Sequence, residues 1–324
     1  MTRYLVTGAT GLLGNNIVRQ LVEAGESVRV LARSSSDPRP LEGLRIERAP
    51  GDVRDVAAVG EACRGVDVVI HSAGHVHLGW KYLDQLRAIN VEGTRNIAAA
   101  TRAAAARLVH VSAINALGLG RLDRPADEES ALPGIVECGY VVTKREAERV
   151  VLEEVGRGLD ATIVNPGCMF GPWDWKPSSG KMLLAVTKFA PIYPLGAVSF
   201  CDARDVAAGT LSAAKQGKTG RKYVLGGHNL SYLEAWRQMA RLVGKRGPFS
   251  PMGPMFRGAV GPILDVYTWL TGREGDANSA ILMMGRQQHC FSSRRAEQEL
   301  GYRVRSFAET LADTLAWFRE HGYV

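Results

Sequence analysis

The most constraining feature of this sequence lies in its first fourteen residues. An apolar run, Tyr4-Leu5-Val6, ends in Thr7-Gly8-Ala9-Thr10-Gly11-Leu12-Leu13-Gly14. A helical stripe follows at Ile17, Val18, Leu21 and Val22, with Gly25 as a stop signal. Glycines at such a strand–helix junction permit a tight turn, close approach of backbone to a pyrophosphate, and tight packing of helix on strand. The helix N-terminus then offers unpaired N–H groups and partial positive charge. Gly8, Thr10, Gly11, Leu12, Leu13 and Gly14 are therefore candidate cofactor-binding positions. The spacing is GxxGxxG, and a purely structural turn is the competing reading. Position at the first junction of an alternating pattern decides for the nucleotide role.

That alternation runs on through the first half. Strands are expected at Val28–Leu31, Arg45–Arg48, Val66–Ile70, Leu108–Val111 and Ala161–Val164, and helices at Ala98–Ala106 and Val141–Val155. Strands and helices at this spacing build βαβ units and a doubly wound parallel sheet (a Rossmann α/β fold) covered on both faces. After Asn165-Pro166-Gly167 the pattern loosens, and Pro and Gly become frequent. Strand-like pieces return at Ala197–Cys201 and Lys222–Leu225, and helices at Tyr232–Val243 and Phe307–His321. The expected organisation is a dinucleotide-binding domain over 1–165 and a smaller, mainly substrate-binding C-terminal domain over 166–324. The strands near 197–225 are expected to return to the first domain.

Composition narrows the class. With 46% hydrophobic and 23% charged residues in 324, the chain can bury a core without staples. Five scattered cysteines with no CxxC pair indicate neither a disulfide framework nor a zinc site, and no metal is expected. The start MTRYLVTG has no signal-peptide stretch, and no segment reads as a membrane span, so a reducing cytoplasm is the expected compartment. Net charge is +7, but Lys and Arg are scattered, so nucleic acid is not an expected partner.

Two further patterns carry chemistry. After the second strand the chain reads Leu31-Ala32-Arg33-Ser34-Ser35-Ser36, with no acid to hold a ribose 2′-hydroxyl. Arg33, with Ser34 and Ser35, suits a 2′-phosphate, hence NADP; a solvated arginine beside a serine turn is the bland alternative. Tyr140-Val141-Val142-Thr143-Lys144 places a phenol and an ammonium on one helix face. The cation is expected to lower the tyrosine pKa, and a phenol so tuned can give a proton to a carbonyl oxygen as hydride arrives.

Together with Gly51-Asp52-Val53, His71-Ser72-Ala73-Gly74, Asn90-Val91-Glu92-Gly93-Thr94, Asn165-Pro166-Gly167, Asp202-Ala203-Arg204-Asp205 and Glu299-Leu300-Gly301-Tyr302, these motifs occur in the order of a known family. The sequence resembles the extended short-chain dehydrogenase/reductases of the NAD-dependent epimerase/dehydratase superfamily. It looks closest to the dihydroflavonol-reductase-like and hopanoid-associated sugar epimerase branch. The resemblance implies that Asp52 and Val53 flank the adenine, and that Ala73 and Gly74 line the path to the nicotinamide ribose, with Ser72 beside them a further cofactor-binding candidate. It further implies that Asn90 braces the central helix, that Lys144 bonds the ribose, and that Pro166 touches the nicotinamide.

One departure stands out. The family hydroxyl of the fifth-strand segment falls here on Ala113, and Ser112 comes one residue early. Adjacent strand side chains face opposite ways, so Ser112 reaches a substrate oxygen only if the strand end bends. Asn115 is a stand-in, and packing beneath the cofactor is the alternative role for Ser112. His75, His77, Trp80 and Lys81 follow the fourth strand, where they suit a substrate loop or plain surface. Trp173, Trp175, Met252, Met255, Phe256, Met283 and Met284 give the second half an apolar character that suits an irregular ligand, a core or a subunit contact such as a homodimer. The expected function is NADPH-dependent reduction of a ketone or aldehyde on a moderately apolar small molecule, with Tyr140, Lys144 and Ser112 as catalytic candidates. A nucleotide-sugar epimerase or dehydratase, or a non-catalytic NADP-binding regulator, are the alternatives.

Overall fold

The computed structural model describes residues 1–130, 136–188, 192–253, 263, 266, 268, 270–271 and 278–324. Its organising element is a seven-stranded, wholly parallel sheet. The strands are β1 (Arg3–Thr7), β2 (Ser27–Ala32), β3 (Glu47–Pro50), β4 (Val68–His71), β5 (Arg107–Val111) and β6 (Ala161–Pro166). The seventh comes from far downstream and is β10 (Lys222–Leu225), after β7 (Cys168–Phe170), β8 (Ile192–Tyr193) and β9 (Ala197–Asp202). Spatial order is β10-β6-β5-β4-β1-β2-β3. Strand order reverses between β1 and β4, which opens a crevice beyond their C-terminal ends, the usual ligand position in open α/β sheets.

Both faces are covered because the strands are apolar on both sides. On one face α1 (Leu12–Glu23) packs through Leu13, Ile17, Val18 and Leu21, beside Val206, Ala207 and Ala213 of α7 (Ala203–Gln216), onto Val6, Ile70 and Val109. On the other, α2 (Val56–Cys63), α4 (Gly93–Ala103) and α5 (Gly139–Gly156) cover Leu5, Val69, Leu108 and Ile163. Between β4 and α4 lie α3 (Leu83–Leu86) and a π-helical stretch, Arg87–Glu92. Asn90 sits in that stretch, and π-helical turns recur at functional sites.

A second sheet of four strands centres on β9, which pairs with β7, β13 (Gln288–His289) and the antiparallel β11 (His228–Ser231). Its core joins Phe170, Phe200 and Val198 to Met239 of α8 (Tyr232–Leu242) and to Phe307, Leu311 and Phe318 of α11 (Phe307–Glu320). The shorter α6 (Gly180–Lys188), α9 (Ser279–Met284) and α10 (Arg294–Leu300) complete the described helices, and β12 (Ser250–Pro251) pairs with β8. Thus Lys222–Leu225 enters the main sheet, whereas Ala197–Asp202 leads the second one. The third strand lies two residues later than its apolar pattern suggests, since pairing with Arg29–Ala32 fixes it at Glu47–Pro50. No helix among the described residues is long and apolar enough to cross a membrane.

Candidate active site

The glycine turn is built for close approach. Gly8 has φ +71°, and a Cβ there would lie 2.6 Å from Ala73 N and Ser72 C. A Cβ on Gly14 would lie 2.3 Å from Gly8 O, which ties α1 to the turn. At Gly11 a Cβ would meet only Gly8 O, at 3.4 Å, so the backbone there is open on its outer side. Gly11 caps α1 with no side-chain hydrogen bond, so the first-turn N–H groups at Leu12 and Leu13 have no capping oxygen. Thr10 lies half-buried beside them. This cradle of bare backbone donors fits a dinucleotide pyrophosphate. Gly14→Ala is therefore expected to cost about 1–3 kcal/mol of stability and to weaken cofactor binding at least tenfold. Urea unfolding and a fluorescence titration check this; native values in both would refute the close-packing account.

The residues expected to meet the cofactor's ribose and 2′-phosphate lie just past β2 and β3. Arg33, Ser34 and Ser35 are all exposed just past β2. Arg33 makes no ion pair among the described residues, and it adds to the pull on Asp52. The Asp52 carboxylate is held at about 2, chiefly by the bidentate hydrogen bonds from Arg54 at 2.8–2.9 Å. Val53 is buried against the backbone, where Gly93 passes close to its side chain.

A polar chain links this floor to α5. Thr7 Oγ1 accepts from Ala73 N at 3.2 Å and meets His71 Nδ1 at 2.7 Å. The other His71 nitrogen meets Thr94 Oγ1 at 3.0 Å, and that hydroxyl donates to Asn90 O at 2.6 Å. Asn90 Oδ1 accepts from His75 N at 2.7 Å, while its Nδ2 donates to His75 O and to Thr143 Oγ1 at 3.1 Å. Asn90 thus pins the loop after β4 to α5. Burial holds His71 neutral, pushed down to about 3. Gly74, exposed, leaves room beside Lys144: a Cβ there would lie 3.4 Å from Lys144 Nζ and from Asn90 Oδ1.

Tyr140 and Lys144 occupy the first two turns of α5, held over the end of β5 by the bond from Lys144 Nζ to Val111 O at 2.9 Å. The Lys144 ammonium is buried, which pushes it down to about 8 against the opposing pull of Glu148. The phenol of Tyr140 departs from expectation. Burial, with Cys138 adding to it, pushes its pKa up rather than down. Around the ring pack Leu78, Val136, Cys138, Val141, Ala280 and Met284, an apolar wall. Ser112 is buried, and its Oγ has no hydrogen-bond partner among the described residues. Ala113 follows in extended conformation at the turn to Asn115. Pro166 ends β6, one strand over.

The catalytic and cofactor candidates named from the sequence thus fall at or beside the C-terminal ends of the main-sheet strands. Of the loop residues, His77 packs edge-on against Tyr82 at 4.9 Å and Trp80 is half-exposed. Met284 is buried against Cys138, Met283 is half-exposed and Met252 is partly buried, while Met255 and Phe256 lie outside the described residues. The sequence reading passed over the roles of Thr7, His71, Thr94, Glu148 and Asn165. A histidine or asparagine ending an apolar strand has no distinguishing spacing; only Glu148, four residues past Lys144, carried a helical signal. No cluster among the described residues could hold a metal ion.

A dinucleotide cradle at the switch point, with a buried lysine and a protonated phenol beside it, defines a nicotinamide-dependent oxidoreductase of the Rossmann class. The chain belongs to the NAD dependent epimerase/dehydratase family, whose model matches residues 4–226. It is 34% identical to the sterol demethylase protein B of Methylococcus capsulatus, covering 99% of both chains. It is also 34% identical to a Synechocystis protein provisionally named a dihydroflavonol 4-reductase, covering 99% of this chain and 96% of that one. Among solved structures, a nucleoside-diphosphate-sugar epimerase from Pseudomonas aeruginosa superposes with a TM-score of 0.83 at 27% identity, covering 99% of each chain.

Proposed function

We propose that this chain is an NADPH-dependent reductase of a ketone or aldehyde carried on a moderately apolar small molecule. The observation that carries the reading is the protonated Tyr140 set in an apolar wall beside the buried Lys144. A bound nicotinamide supplies the hydride. The chain's own residues do the rest. Gly8, Gly11 and the first turn of α1 hold the pyrophosphate. Arg33, with Ser34 and Ser35, pairs with the 2′-phosphate, since Asp52 is already engaged by Arg54. Lys144 donates to the ribose, and Tyr140 gives its proton to the substrate oxygen. Ser112 Oγ, buried and without a partner, is the remaining group that polarises that oxygen. Leu78, Val136, Ala280 and Met284 exclude water from the transfer and favour an apolar substrate. Relatives named for a sterol and a dihydroflavonol support that substrate class. Residues 1–165 then serve the cofactor and 166–324 mainly the substrate, inside the cell's reducing compartment.

The likeness to a nucleoside-diphosphate-sugar epimerase favours a second reading, a sugar epimerase or dehydratase with tightly held cofactor. Cofactor stoichiometry separates the two. A reductase consumes NADPH in proportion to product; an epimerase copurifies with its cofactor and needs none added.

Cofactor choice is a sharper test. NADPH is expected to bind about ten- to a hundredfold more tightly than NADH, the worth of one charge-assisted contact of about 1.5–3 kcal/mol. Arg33→Ala should erase most of the difference. Fluorescence titrations with both reduced cofactors decide it: equal affinities for the native protein rule out the 2′-phosphate assignment.

A further inference from the structure

Beneath the reaction helix lies a buried carboxylate that the chemistry above does not use. Glu148 sits on α5 one turn beyond Lys144 and is only 3% exposed. Its Oε1 accepts from Asn165 Nδ2 at 2.6 Å, and its Oε2 pairs with Lys222 Nζ at 2.5 Å. Asn165 Nδ2 also donates to Ala113 O at 3.0 Å, on the turn that carries Ser112. One side chain thus ties α5 to β6, to the edge strand β10 and to the Ser112–Ala113 turn. We propose that Glu148 is a positioning residue for the reaction: its carboxylate supports the Lys144 ammonium electrostatically and, through Asn165, fixes the Ser112–Ala113 turn. The proposal rests on the reading of Tyr140 and Lys144 given above.

Charge accounting explains why the carboxylate matters. Lys144 is surrounded by groups that add no negative charge: Tyr140 on its own helix, His71 from β4, His110 from β5 and the amide of Asn90. The two histidines are buried and held neutral, with the Lys144 charge pushing both further down. Among the described residues, Glu148 is the group that pulls the ammonium back up. Lys222 faces Glu148 from β10 and pairs with it. Two substitutions therefore act in opposite directions. Glu148→Gln removes the anion and destabilises the ammonium. Lys222→Met leaves the anion uncompensated and strengthens its hold on Lys144. A role confined to packing would not give opposite signs.

The test reads Lys144 without substrate or cofactor. Protein carrying lysine labelled with 13C at Cε is titrated by NMR, and the Lys144 resonance is assigned by its loss in Lys144→Met. Glu148→Gln should lower the Lys144 midpoint by about one pH unit, and Lys222→Met should raise it. An unmoved midpoint in folded Glu148→Gln, or shifts of the same sign in both variants, overturns the proposal. If Glu148→Gln does not fold, Lys222→Met decides alone: an upward shift supports it and no shift rejects it. A native Tyr140 phenol that proves dispensable for turnover would undo the functional reading and leave these midpoints untouched.

Discussion

Replacing Tyr140 by Phe is expected to lower turnover by about two to four orders of magnitude while NADPH binding survives. The change removes one hydroxyl and keeps the ring against Leu78, Val136 and Met284. Because burial raises the phenol, it stays protonated across the neutral range and serves as donor there. The pH dependence then comes from its neighbour. Lys144 loses its proton near pH 8, so the rate should fall on the alkaline side of that value. Lys144→Met should harm both cofactor binding and turnover, since the proposed function gives Lys144 the bond to the ribose. Ser112→Ala distinguishes the two accounts of the shifted serine. A loss like that of Tyr140→Phe puts Ser112 at the substrate oxygen, and a near-neutral result gives that task to Asn115 or a backbone N–H. Steady-state kinetics on a verified substrate check the series, and full turnover by Tyr140→Phe ends the tyrosine assignment.

The second large effect concerns stability. Asp174, in the loop between β7 and α6, is 2% exposed, and its Oδ2 has no hydrogen-bond partner among the described residues. Burial pushes its carboxyl up to about 7 from an ordinary value of 3.8. The folded pKa is thus raised above the unfolded one. Between pH 4 and 7 the folded chain holds a proton that the unfolded chain releases, so this site's contribution falls as pH rises through that window. Above pH 7 the full penalty applies, about 4 kcal/mol by the pKa difference. Asp174→Asn keeps the shape and removes the charge. The variant should match the native protein near pH 4 and be more stable by about 4 kcal/mol at pH 8. Urea unfolding at the two pH values is the check, and equal stability at pH 8 would mean that the carboxylate is solvated in the folded chain.

The parts of the site that were legible are those fixed by local rules. Gly8 and Gly14 announce themselves because only glycine tolerates those approaches, and Tyr140 and Lys144 because helical spacing puts them together. Long-range packing hid the rest. The lowering of the Tyr140 pKa was the natural inference from a nearby cation, but it ignores burial by Met284 and Ala280, which come from more than a hundred residues downstream. Glu148 was visible as a helical neighbour of Lys144, yet its partners Asn165 and Lys222 belong to different strands. The second sheet was the least legible element: β7, β11 and β13 have three, four and two residues, and β9 alone gives them an apolar frame.

The late arrival of β10 has a consequence for the order in which this protein can be made. A ribosome adds about 5–20 residues per second, and domains tend to fold as their last essential piece emerges. Six strands of the main sheet are complete once β6 is out, but the edge that covers β6 is Lys222–Leu225. Until Lys222 appears, Glu148 lacks its ion-pair partner on β10, and the newborn chain holds α5 beside an unfinished edge. Synthesis therefore withholds closure of the main sheet until β7 and β9 of the second sheet have emerged ahead of β10.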